Sequence, residues 1–547
     1  MDLLILLVER RRQLVTRNDM VQRLWGPDVF VDVETGLNTA VRKVRQALGD
    51  APQNAAFVET VPSKGYRFIA QVELIEGAAV ENRQQTTIAV LPFENLGNPE
   101  REYLADGLTE ETIAALGQID PDHFFVIGRR SVMAYTSTSK TLAEIGRELS
   151  ATYLVESSVQ SEGGRVRITS KLIRARDQVQ IWSESYDAEP SSMLIFQREL
   201  STAIAEQVRR RLSPERLIAL ARRQTQYPAA YDHYLRGRHF WNQLKPATTR
   251  PALDCYARAT EVDPEYALAW TGLADAYSTS PINGDARPQE MWPRARDAVA
   301  HAVRSEPELA EVQASVGFVN FFLEWDWLAA EAAFRKAIAI DPSYSLAHRL
   351  LGTVLSQSGR HEEANAALRR SRELDPLYAM NHSQSALVAF QAGDYPAAIQ
   401  HGRHAVVIDP EFWISYFQLG QVYTQTGEAD LALEVLAKAG RYSGGNSKAL
   451  ALRGYLLAKI GRTQEAREVL NTLQTLAREK YVPPYAMALV CAGLSECDNA
   501  LGWLDRAHDA RDVHLLFLPV DPKWDSFRDD PRFVAILKRC GFLDSML

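Results

Sequence analysis

At 547 residues and about 150 residues per domain, the chain holds three to four structural units, which excludes one compact core. Hydrophobic residues make up 46% and charged residues 24%, a balance that excludes a disordered polar tract; the longest aliphatic run, Leu3 to Val8, falls far short of the ~20 residues of a membrane span and follows no basic signal region. The net charge of -8 argues against a wholly basic nucleic-acid binder but leaves local patches open, and the four cysteines, at 255, 491, 497 and 540, lack zinc spacing and read as reduced, structural thiols of a cytoplasmic protein.

Residues 1–75 read as helix, helix, helix, hairpin. Leu3, Leu4, Leu7 and Val8 make one stripe, and Thr16 with Asp19 makes a capping-box-like start to a helix that carries Met20, Val21 and Leu24 and stops at Gly26. In the third helix, GLNTAVRKVRQALGD, Leu37, Val41, Val44 and Leu48 share a buried face. The opposite side carries Asn38, Arg42 and Arg45, with Thr39, Lys43 and Gln46 beside them. Amides, a hydroxyl and cations on one helical face are the donors that base edges and phosphates take in a major groove. FVETVPSKGYRFIA then alternates on both sides of Pro62 to Gly65, which predicts a hairpin with Lys64 at its tip and Arg67 on its flank, a recognition helix followed by a wing.

From Leu4 to Ala70 the stretch resembles the OmpR/PhoB-type winged-helix domain, whose members run much like LxxRLWG, VDVETGLNTAIRKLRQALGD and FIETVPRRGYRF. The resemblance implies double-stranded DNA as partner, puts Lys43 and Arg45 in the basic pair of the recognition helix, makes Trp25 and Gly26 the end of the second helix, and makes Val29 to Glu34 the loop that meets RNA polymerase. It also implies self-association on direct repeats. Members begin with about four short strands that this sequence lacks, so the expectation is a missing N-terminal sheet or a start upstream of Met1. No receiver domain with a phosphorylatable aspartate accompanies it, so phosphorelay control in cis is unsupported. Ten basic and nine acidic residues give 1–75 a net charge of +1, leaving -9 for the rest.

Residues 76–86 read as a linker. From 87 to 213 strand and helix alternate: TIAVLPF, LTEETIAALGQI, HFFVIG, AEIGRELS, a hairpin of TYLVESSVQ and RVRITSKLIRA, and a closing helix from about Ser191 to Leu212. AVLPFENL, EYLADGLTEE, AEIGRELSATYLVESSV and WSESYD make this mixed α/β region similar to TolB-like N-terminal domains. Asp106, Glu110 and Glu111 read as acids at a helix N-terminus, where the macrodipole favours them, rather than as a catalytic cluster.

Prolines at 264, 307, 342, 376 and 410 each follow an acidic residue, at spacings of 43, 35, 34 and 34. Before them small or apolar residues recur: Ala252, Tyr256 and Ala259; Ala295, Val299 and Ala302; Ala330, Phe334 and Ala337. After them come Trp270, Leu273, Ala274 and Tyr277, then Leu351 and Gly352, then Tyr416, Leu419, Gly420 and Tyr423, with Gly454 34 residues beyond Gly420. A period of 34 belongs to a repeat array, and proline stops each second helix. From 228 to 508 the pattern resembles the tetratricopeptide repeat, roughly eight helix pairs, with 509–547 as a C-terminal cap. The resemblance implies a concave groove for a protein or peptide, for which Arg349, Phe417 and Gln421 are the candidate lining residues.

No nucleophile elbow, phosphate loop, dinucleotide fingerprint or complete H-E-x-x-H is present; the expectation is no enzyme, no catalytic residue, no cofactor and no metal. The sequence therefore reads as a multidomain chain, a winged helix-turn-helix with its N-terminal sheet missing, a mixed α/β domain and an α-helical solenoid. Its expected role is a cytoplasmic, non-membrane transcriptional regulator whose repeats recruit or sense a protein. The alternative is a repeat scaffold with a vestigial DNA-binding domain.

Overall fold

The computed structural model describes residues 2–10, 13–25, 33–48, 50, 55–62, 64–70, 86–119, 124–162, 165–188, 199–200, 203–204, 207, 225–243, 246–283 and 286–542. The chain divides into two units, Met1–Gln84 and Gln85–Leu547. The linker at 76–85 and the polymerase loop from Val29 to Asp32 lie outside the described residues, and nothing is described of the side chains of Val33 and Glu34.

In the first unit α1 (Asp2–Glu9), α2 (Arg17–Trp25) and α3 (Val33–Leu48) pack on a three-stranded sheet ordered β1 (Val15–Thr16), β3 (Gly65–Phe68), β2 (Val58–Val61). Leu3, Leu6, Leu7, Met20, Leu37, Val41, Val58, Tyr66 and Phe68 form its core, so the apolar stripes of helices and hairpin meet as their spacing requires. The Thr16 hydroxyl accepts from the Asp19 N–H at 3.2 Å, and Asp19 Oδ2 accepts from the Thr16 N–H at 3.0 Å, closing the reciprocal cap of α2. Gly65 sits where β3 crosses Val15, and a Cβ there would collide with the Val15 carbonyl oxygen. Only glycine lets the wing close onto β1.

In the second unit, β4 (Thr86–Val90) lies parallel to both β6 (Phe124–Val126) and β7 (Tyr153–Glu162); β7, β8 (Arg165–Arg174) and β9 (Val179–Ala188) form an antiparallel meander, and β5 (Glu94–Asn95) pairs with β7. Buried Ile88, Val90, Phe124, Val126 and Val155 pack against Leu108 and Leu116 of α4 (Glu102–Ile119). The antiparallel meander is one strand longer than the hairpin the sequence predicts, because Val179–Ala188 continues it. Two short helices, α5 (Arg129–Met133) and α6 (Leu142–Glu148), complete the domain. Most of the expected closing helix at 191–212 lies outside the described residues, although Leu200 and Ile204 are fully buried.

The described residues then form eight helix pairs: 228–242 with 246–262, 267–283 with 288–305, 310–319 with 327–340, 345–357 with 361–374, 379–391 with 395–408, 413–426 with 429–442, 447–459 with 463–479, and 484–493 with 497–509. All nine small and apolar residues named ahead of Pro264, Pro307 and Pro342 are buried. A Cβ on Gly454 would lie 2.8 Å from Val469 Cγ1 and 2.9 Å from Val490 Cγ2, so this glycine permits close approach of neighbouring helices. At three of the five prolines the preceding aspartate has a physical reason. Asp263, Asp341 and Asp409 each accept a hydrogen bond from the backbone N–H two residues on, at 3.0, 2.9 and 3.0 Å, and so hold the turn between pairs. Cys255 is half-buried and Cys491 and Cys540 are buried, but Cys497 is exposed, contrary to the expectation of four packed thiols.

Candidate nucleic-acid interface

Helix α3 buries Leu37 and Val41 and turns Asn38, Arg42 and Lys43 outward. Among the described residues no carboxylate pairs with Arg42, Lys43 or Lys64, the last of which stands exposed at the tip of the β2–β3 hairpin. These three cations are unneutralised within the described part of the unit, which is what phosphate contact requires. Asn38 is exposed, with its Oδ1 accepting from the Tyr66 hydroxyl at 3.2 Å, a bond that orients the amide from beneath. The side chains of Thr39 and Gln46 lie outside the described ones.

Arg45 does not belong with them. Its side chain is 11% exposed; Nη2 donates to the Val58 carbonyl and to Thr60 Oγ1, both at 2.8 Å, and Nε lies 3.8 Å from Asp50 Oδ2. Asp50 in turn accepts from the backbone N–H groups of Ala56, Phe57 and Val58 at 2.7, 3.1 and 2.9 Å. Burial pushes the Asp50 carboxyl up, but these three donors and the Arg45 charge outweigh it and hold it below the usual carboxylate range. Arg45 and Asp50 thus tie the third helix to the first strand of the wing. Arg67 is likewise paired, with Nη1 3.0 Å from Glu59 Oε2 across the hairpin, so its charge is partly neutralised. Sequence spacing carried the signal for Arg45: it stands four residues after buried Val41 and eight after Leu37, on the border of the apolar face.

The acids of α4 form a second cluster. The helix starts at Glu102, so Asp106, Glu110 and Glu111 lie inside it rather than in its first turn, and the macrodipole is not what places them there. Glu110 pairs with Arg238 and lies 3.8 Å from Arg129 Nε, while Asn242 Nδ2 donates to it at 2.8 Å. Asp106 lies 2.7 Å from His239 Nδ1, and Glu111 Oε1 accepts from the Tyr234 hydroxyl at 3.1 Å. Burial raises the Glu110 carboxyl, but Arg238 and Arg129 more than reverse this and bring it down to about 2. All these acids are spent on fastening the α/β domain to the first helix of the array.

The groove candidates all lie on first helices of their pairs. Arg349 is partly buried with its guanidinium 6.0 Å from the Tyr378 ring, and Phe417 packs edge-on against Trp413 at 6.1 Å. Gln421 is buried rather than exposed, with Nε2 donating to Gln418 Oε1 at 2.6 Å and Oε1 accepting from Lys523 Nζ at 2.6 Å. The reason is that the C-terminal segment lies over it.

A three-helix head with a basic wing, an α/β domain and a helical-repeat array define a transcription-regulator architecture. Residues 1–68 match the family model "Transcriptional regulatory protein, C terminal", residues 84–206 match "HilA/YgeH-like transcriptional regulator, second domain", and residues 326–379 and 364–518 match two tetratricopeptide-repeat models. The chain therefore carries an OmpR/PhoB-type winged helix, a HilA-like second domain where the sequence suggested a TolB-like one, and tetratricopeptide repeats.

Among curated proteins it is similar to "Putative adenylate cyclase 3" of Rhizobium meliloti, 32% identical over 198 residues, covering 36% of this chain and 33% of that one. It is 21% identical over 370 residues to "Transcriptional regulator HilA" of Salmonella typhimurium, 66% of this chain and 63% of that one. It is also 34% identical over 74 residues to "Cholera toxin transcriptional activator" of Vibrio cholerae, 14% of this chain and 25% of that one. The chain spans less than two thirds of each of these relatives. Among the described residues no helix is long and apolar enough to cross a membrane.

Proposed function

We propose that the protein is a cytoplasmic transcriptional regulator whose winged helix binds double-stranded promoter DNA and whose second unit serves a protein partner. The observation that carries this reading is the outward face of α3, where Arg42 and Lys43 have no carboxylate partner among the described residues and stand beside Asn38 above a well-formed core, with Lys64 on the wing. The regulators named among its relatives support it. A packed core and an oriented asparagine favour a working head over a vestigial one.

Phosphate neutralisation by these cations implies steep salt dependence. Binding of the full chain to genomic fragments, followed by fluorescence anisotropy over a salt series, tests the reading. Self-association on direct repeats and contact with RNA polymerase belong to the same proposal and are tested by footprint spacing and by polymerase recruitment.

The reading is non-catalytic, although one relative is named a putative cyclase. Asp106 and Glu110 are held in ion pairs and hydrogen bonds, which leaves them poorly placed for general-base or metal chemistry. A cyclase assay on the purified chain, with cyclic nucleotide formation as the contradicting result, checks this.

A further inference from the structure

After the eighth pair the chain continues, and its last helix, Pro531–Arg539, packs on Cys497–Asp509 at the end of the array. Residues Val513–Val520 and Pro522–Phe527 run as two short 3-10 helices across the first helices of the pairs. Val513–Val520 packs on Ala267–Asn283 of the second pair, on Asn320–Glu324 at the end of the third pair's first helix, and on Ser345–Gln357 of the fourth. Further on, Lys523 Nζ reaches Gln421 Oε1 in the sixth pair at 2.6 Å and sits 5.1 Å from the Phe390 ring of the fifth. Trp524 Nε1 donates to the Tyr485 hydroxyl of the eighth pair at 3.1 Å.

The segment is buried against these helices. Leu515, Leu516, Leu518 and Trp524 are fully buried, and the Lys523 ammonium, 2% exposed, is neutralised by Asp521 at 2.7 Å inside the segment itself. An apolar block, an internally paired cation and an aromatic anchor together cover the inner face. The second and third pairs also meet the residues at and beyond the end of the eighth. The Arg511 guanidinium lies 4.8 Å from the Trp292 ring and 4.4 Å from the Trp325 ring, the Trp327 and Phe542 rings are 4.3 Å apart, and Gln289 Nε2 donates to the Asp509 carbonyl at 3.3 Å.

We propose that Asp512–Phe527 is an intramolecular ligand of the repeat array, which keeps the inner face occupied so that an outside segment enters only in exchange for it. The tether gives this ligand a high effective concentration, so a free peptide of equal contact quality loses the competition. An outside segment that succeeds carries the same chemistry, an apolar run followed by a cation beside a carboxylate and an aromatic residue. Surfaces outside the inner face are the ones open to partners in the closed form.

The test uses the full chain and its Lys523→Ala/Trp524→Ala variant, with a fluorescent synthetic peptide of residues 511–528 as probe. The expected result is binding to the variant at least about tenfold tighter than to the unaltered chain, reversed by unlabelled peptide. Equal binding to both, or no binding to a variant with native helix content, overturns the proposal. Should the variant fail to fold, hydrogen exchange on the unaltered chain decides. Amides of 513–527 that exchange together, protected but faster than those of the first helices, uphold it, and protection equal to that of the first helices, or none, overturns it.

Discussion

The Nη2 of Arg45 donates to the carbonyl oxygen of Val58 at 2.8 Å, joining the third helix of the head to the first strand of its wing. A cation that counts as a phosphate ligand by its position in the sequence is a structural tie in the fold. Removing it takes the Arg45 charge from Asp50 and its donated hydrogen bonds from Val58 and Thr60. We expect Arg45→Ala to destabilise the head by about 1–3 kcal/mol, read as a lower urea midpoint.

Arg42→Ala and Lys43→Ala act oppositely. Both side chains are exposed, so stability of the head stays within about 0.5 kcal/mol. Each substitution should lower the slope of log affinity against log salt by about 0.9 while weakening all DNA sequences alike. A variant that loses stability instead shows that its side chain is a packing element.

The fastening of the α/β domain to the array predicts a strong effect of Glu110→Gln. It leaves Arg238 and Arg129 facing a neutral amide, at a cost of about 3 kcal/mol. The folded carboxyl lies at about 2 against an ordinary 4.5. Its contribution is therefore complete above pH 4.5 and is lost as pH falls towards 2, a loss the variant lacks. Thermal melts of both forms from pH 7 to 3 check the sign.

His382 and His401 lie in the fifth pair with ring centroids 6.4 Å apart, and burial brings each down to about 4 from 6.5. Their contribution is present above pH 6.5 and is lost as pH falls towards 4. Asp275 and Asp375 are pushed up by burial to about 6 from 3.8, so theirs is complete below 3.8 and is lost as pH rises through 6. The two effects oppose each other over the same window. Removing one histidine unbalances them, and His401→Gln should lose less stability than the unaltered chain on going from pH 7.5 to 5, read as a smaller fall in melting temperature.

Gly454→Ala sets a Cβ against two β-branched side chains, Val469 and Val490, which have little rotamer freedom to move aside. A loss of about 1–3 kcal/mol is expected from overpacking, seen as a lower melting temperature of the array.

Much of this was legible in the sequence. The 34-residue period fixed the helix pairs because small residues must recur where two helices touch, and the alternation around Pro62 to Gly65 placed the hairpin. Asn38, Arg42 and Lys43 were placed outward by the same 3.6-residue arithmetic that buried Leu37 and Val41. What periodicity could not supply was partner identity. Arg45 finds its partners 13 and 15 residues away, Glu110 is claimed by Arg238 from another domain, and Gln421 is covered by Lys523 from 102 residues downstream. Asp375 shows the limit best. It sits in the same Asp-Pro turn as Asp341 and Asp409, yet its carboxylate accepts from the Ser131 N–H of the α/β domain at 2.7 Å.

The central claim is that the outward face of the third helix binds DNA. Fluorescence anisotropy of the full chain and of the Arg42→Ala/Lys43→Ala variant, on a genomic duplex recovered with the full chain, tests it over a salt series. A DNA-binding third helix gives a steep linear fall of log affinity with log salt, with the slope reduced by about two in a variant of unchanged stability. Equal affinity and equal slope for the two proteins would contradict it.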